Sequence, residues 1–168
     1  HKSFVGSLED NHGHGTHISG FIDQYVKNFF LSKDGNSDDL EKIKTNYCQV
    51  IIKFYDPKII SDNLSNTIKA FRWAIDLKVD VINYSGGGTV SSEAERKIVI
   101  EALNKGIKIV AAAGNERSNI DVAKFYPAMY DKRIYVVGNL VTKHSRIIAE
   151  TSNFGKSVNT WETGTNIL

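Results

Sequence analysis

One cysteine, two prolines and one methionine are all that the 168-residue chain contains of those residue types. Cys48 has no second cysteine to pair with, so no internal disulfide staples this fold and nothing demands an oxidising compartment. No apolar run approaches the ~18 residues of a membrane-spanning helix. An excess of charge is also missing: 21 Lys and Arg against 19 Asp and Glu leave a formal charge of +2, too little to draw the chain to nucleic acid or an anionic membrane. Repeats and low-complexity tracts are absent. What is there is ordinary globular composition, 41% apolar and 24% charged, in a length that suits one domain with a sizeable core. The first residues carry no signal-peptide pattern and lie close to a dense motif, so we expect the chain to begin inside a larger domain.

The periodicity alternates between strands and helices. Ile18, Phe21, Ile22, Tyr25, Val26, Phe29 and Phe30 recur at helical spacing and predict a largely buried helix over residues 16–31. Residues 31–47 are rich in charge and turn formers and read as an exposed connection, with a short helix after Ser37. A strand follows from Cys48 to Tyr55, then a helix capped by Asn63 or Ser65 and running to Leu77. "VDVINYS" reads as a second buried strand, and Ser91 or Ser92 opens a helix that stops at Gly106. "IKIVAAAG" and "IYVVGNL" complete four strands. Strands alternating with helices of this length predict an α/β fold, a mostly parallel sheet with helices on both faces. Ligands of such sheets gather beyond the carboxyl ends of the strands.

Three glycine-rich stretches lie at such places. "NHGHGTH" brings His12, His14 and His17 to a helix entry, an arrangement open to three readings. It is a zinc site without supporting cysteines, a flexible turn whose imidazoles cap backbone groups, or a base: the positive end of a helix favours an uncharged imidazole able to accept a proton. "NYSGGG" ends one strand, either as a plain loop or as bare backbone that takes up an extended peptide as an added strand. "AAAGNE" ends another, either as a turn or as a donor site.

Taken together and in order, these stretches resemble the subtilisin-like serine proteases. "DNHGHGTHISG" is similar to that family's D-x-x-x-H-G-T-H-V-A-G, with Asp10, His14, Gly15, Thr16, His17 and Gly20 matching. The resemblance implies that His14 is the general base and His17 structural. "FRWAIDLKVDVINYSGGG" is similar to the helix and strand leading to the substrate-binding edge, which implies peptide contacts by Ser85, Gly86 and Gly87. "VAAAGNE" resembles the oxyanion-hole segment: Asn115 would donate to the oxyanion, while Ala112, Ala113 and Gly114 would wall the pocket for the residue before the scissile bond and leave it roomy. "YPAMYDKRIYVVGNL", "SNFG" and "ETGTNIL" extend the likeness to the last residue, whereas 31–47 replaces an apolar hairpin of the family with a charged segment.

Such an enzyme needs an aspartate and a serine beside the histidine. Residues 1–9 contain no aspartate, Asp10 matches the acidic residue of the histidine motif and not the triad member, and "GTNIL" places Asn166 where a serine is wanted, yet the surrounding "NFGKSVNTWETGTNIL" fits the family's A-P-G-x-x-I loop better. The resemblance therefore implies residues 1–168 as the central portion of one catalytic domain, without its aspartate strand or serine helix, and inactive alone. The alternative is a pseudoprotease that binds peptides or regulates. A sheet so interrupted is expected to associate with itself or a complementing chain. The expected partner is a polypeptide substrate, not nucleic acid or membrane. No metal ligands are named; calcium enters through the resemblance alone, as does a lean towards export.

Overall fold

The computed structural model describes residues 1–31, 46–59, 62–142, 144 and 146–165, with the side chains of Phe30 and Leu31 left aside. The charged connection with its short helix, for residues 32–45, and Asn166 in the tail lie outside the described residues. The chain divides into two compact units, His1–Ala70 and Phe71–Leu168.

In the first unit β1 (Lys2–Ser3) pairs in parallel with β2 (Ile52–Lys53), and α1 spans His14–Leu31. The expected strand over Cys48–Tyr55 shrinks to those two residues, since among the described residues Lys2 and Ser3 alone offer it a ladder. The expected burial of α1 is overturned: Phe21, Tyr25 and Phe29 are 39%, 65% and 54% exposed. Helical spacing reports that a face is apolar, not that a partner covers it. The next helix, α2 (Asn63–Asp76), begins one residue after its cap, because Asp62, rather than Asn63 or Ser65, accepts the Ser65 N–H at 3.0 Å.

The second unit holds a four-stranded parallel sheet in the order β3 (Val81–Tyr84), β4 (Lys108–Ala112), β5 (Tyr135–Leu140), β6 (Thr160–Thr163). The expected α/β class with parallel strands is what forms. Ile109, Ala111, Val136 and Leu140 alternate along β4 and β5 onto a buried face, as a period of two requires. Between β3 and β4 lies α3 (Glu93–Asn104), where Ser92 accepts the Glu95 N–H at 3.3 Å and the acidic Glu93 and Glu95 sit at the positive end. Ile98, Val99, Ala102 and Leu103 form its buried stripe. Arg72 of α2 grips Glu101 of α3 through two parallel contacts of 2.5 and 2.8 Å. Two strand expectations need correction. Among the described residues β3 stands at the edge of its sheet with Val81 52% exposed, not buried, because β4 alone of them pairs with it. β6 replaces an expected loop, since Thr160–Thr163 finds a ladder on β5 that its own short mixed pattern does not advertise.

Candidate active site

The histidine turn of the first unit is organised by Asp10. Its Oδ2 accepts the Thr16 N–H at 2.7 Å and the Thr16 hydroxyl at 2.8 Å; its Oδ1 accepts the N–H groups of Gly13 at 2.9 Å and His12 at 3.3 Å. A carboxylate thus gathers donors that a helix N-terminus leaves unpaired, where negative charge is favoured. The Thr16 N–H first, then its hydroxyl, then Gly13 and His12 hold the Asp10 carboxyl down to about 2. His14, the first residue of α1, is thereby presented on the surface, with the His12 ring edge-on at 6.1 Å. Among the described residues no group of three His, Cys, Asp or Glu side chains is placed to hold a metal.

The Asp10 arrangement has a testable pH signature. A carboxyl lowered in the folded state adds stability that is present above the unfolded value of 3.8 and lost as pH falls through about 2. After correction for intrinsic exchange, the Gly13 and Thr16 amides are expected to lose protection between about pH 4 and 2. In Asp10→Asn that pH dependence should vanish and the turn should lose about 1 kcal/mol, the usual worth of an exposed helix cap. Amide exchange followed by NMR checks this.

The second unit brings the other two stretches together. Ser85 follows β3 and accepts from Asn83 Nδ2 at 2.9 Å; Gly86 is half-buried and Gly87 adopts a φ of +155°. Gly88 and Tyr126 exchange backbone hydrogen bonds of 2.9 and 2.8 Å, which fastens the glycine stretch to the segment before Pro127. At the end of β4, Ala113 is buried, Gly114 has a φ of +99°, and Asn115 is exposed. The Asn115 side chain makes no hydrogen bond among the described residues, so its amide is available to a visitor. The two stretches meet on one ring. A Cβ built on Gly87 would come within 2.5 Å of Phe125 Cε1, and one on Gly114 within 2.9 Å of Phe125 Cε2.

Residues 6–168 match the sequence pattern of the subtilase family, peptidase S8. The chain belongs to the subtilase family. It is 32% identical over 170 residues to Subtilisin NAT of Bacillus subtilis subsp. natto, covering 98% of this chain and 41% of that protein. To the major intracellular serine protease of Bacillus subtilis (strain 168) it is 28% identical, covering 96% of this chain and 48% of the relative. To the minor extracellular protease Epr of the same strain it is also 28% identical, covering 98% and 23%. The chain therefore spans less than half the length of these curated relatives. Among solved structures, a cold adapted subtilisin-like serine proteinase superposes with a TM-score of 0.59 at 25% identity, over 69% of this chain and 41% of that one.

Two residues of this subtilase shape the second stretch without having stood out in the sequence. Asn153, 1% exposed, donates through Nδ2 to the Ala113 carbonyl at 2.8 Å and to Glu116 Oε2 at 2.6 Å. Its Oδ1 accepts from the N–H groups of Glu116 at 3.0 Å and Ser118 at 2.8 Å, and its own N–H donates to the Gly114 carbonyl at 3.0 Å. One buried amide thus fixes the backbone on both sides of Asn115; "SNFG" was its only signal. Phe125, next to the recognised "YPA", gave none, because its contacts are made with residues distant in the chain. Among the described residues no helix is long and apolar enough to cross a membrane.

Proposed function

We propose that these residues are the central portion of a subtilisin-like serine endopeptidase domain acting on polypeptides. His14 is the general base, and Asn115 donates to the oxyanion. Ser85, Gly86 and Gly87 hold an extended peptide as an added strand, and Ala113 and Gly114 border the pocket for the residue before the scissile bond. The aspartate that orients His14 and the serine nucleophile come from segments outside these 168 residues. In the reaction the serine oxygen attacks the peptide carbonyl while His14 takes its proton. The negative charge that develops on the carbonyl oxygen meets the Asn115 amide, and His14 returns the proton to the departing amine. Calcium, which the family resemblance allows, has no step in this chemistry.

The observation that carries the reading is the meeting of the two glycine-rich stretches on one ring, with the exposed Asn115 amide beside them. A fluorophosphonate probe applied to the full-length gene product, with the labelled residue mapped by mass spectrometry, tests it. The expected label is on a serine beyond Leu168. Folded protein that takes no label would instead be a peptide-binding pseudoprotease.

A further inference from the structure

The space beside Gly87 and Gly114 is occupied by the protein's own Phe125, which shares the Gly114 side with the Asn153 and Glu116 side chains. The ring is 5% exposed and lies with its Cε1 and Cζ edge towards Gly87, at 2.5 and 2.9 Å from where a Cβ would stand, and its Cε2 towards Gly114. The neighbouring backbone bonds between Gly88 and Tyr126 hold the segment in place, so the ring has little freedom to withdraw. The two glycines make room, and the room is taken by Phe125 rather than left to a substrate.

We propose that Phe125 is the residue that sets substrate specificity here, closing the floor of this pocket so that the residue before the scissile bond must be small: glycine, alanine or serine. This rests on the proposed function for the walls of the pocket, and it reverses the expectation of a roomy one. A large side chain would have to displace a packed ring, at the expense of the contacts that ring makes.

The test uses the full-length protein and a set of peptides varied only at the residue before the cleaved bond. Wild type is expected to favour alanine over phenylalanine by about 10–100-fold in kcat/KM, the range that side-chain size commands in a closed apolar pocket. Phe125→Ala should reverse that order. Phe125→Leu, which leaves a smaller void and is the safer variant for folding, should narrow the gap. A wild-type preference for phenylalanine or leucine overturns the proposal, whatever the variants do, as does a profile that Phe125→Ala or Phe125→Leu leaves unchanged.

If the protein cleaves nothing and takes no fluorophosphonate, the endopeptidase reading fails separately. Equilibrium binding of product-like peptides ending in alanine or phenylalanine then decides the pocket. Preference for the alanine peptide, lost in Phe125→Leu, supports a pocket floored by Phe125; binding of neither or equal binding of both overturns it.

Discussion

Replacing His14 by alanine in the full-length protein is expected to lower kcat by about 10⁴–10⁶-fold, the family's magnitude for losing a triad histidine and not a figure obtained from this geometry. The geometry explains why the loss should be specific. His14 is on the surface as the first residue of α1, and the turn before it is gathered by Asp10, whose partners are Thr16, Gly13 and His12. The Asp10 bonds that gather the turn remain in the variant, so the turn is expected to stand. The thermal midpoint should stay within a few degrees of wild type while the serine loses its base and its labelling by fluorophosphonate slows in parallel. The matched control is His17→Ala. His17 lies three residues on, is also exposed, and has no part in the proposed chemistry, so its kcat should stay within about 10-fold. Activity within 10-fold of wild type in His14→Ala would remove the base from this residue, and an equal loss in both variants would point to the turn rather than to one imidazole.

Local signals were legible in the sequence where the physics is local. Ser92 caps α3 and Gly106 follows its end because a side chain three residues from its partner, or a glycine at a helix stop, needs no tertiary context. The glycine-rich ends of β3 and β4 were legible as strand ends for the same reason. Partnership was not. The apolar face of α1 reads the same whether covered or bare, β3 reads as buried although it stands at a sheet edge, and β6 becomes a strand only because β5 lies beside it. Phe125 is the clearest case. Small residues at 112–114 suggest open space, and the ring found against Gly114 comes from a segment that the Gly88–Tyr126 bridge brings near.

Asn115→Ala is expected to lower kcat by about 10²–10³-fold and to leave KM nearly unchanged, the scale being again that of an oxyanion donor in this family. The split between the two constants follows from where the charge is. A ground-state carbonyl oxygen carries little of it and a tetrahedral intermediate carries most, so a donor aimed at the developing oxyanion acts on the step and not on binding. Such a donor is effective only if it is already in place, and here the fixing is done by another residue. Asn153 holds the Ala113 and Gly114 carbonyls and the N–H groups of Glu116 and Ser118, so the backbone is tied on both sides of Asn115 while the Asn115 side chain spends no hydrogen bond on the protein. Asn115→Ala should therefore keep the wild-type melting temperature. Asn115→Asp, which offers an acceptor and a negative charge in place of the amide donor, should be at least as slow as alanine. A rise in KM of the same size as the fall in kcat/KM would assign Asn115 to substrate binding, and a lowered melting temperature would assign it to the loop that Asn153 otherwise holds without it.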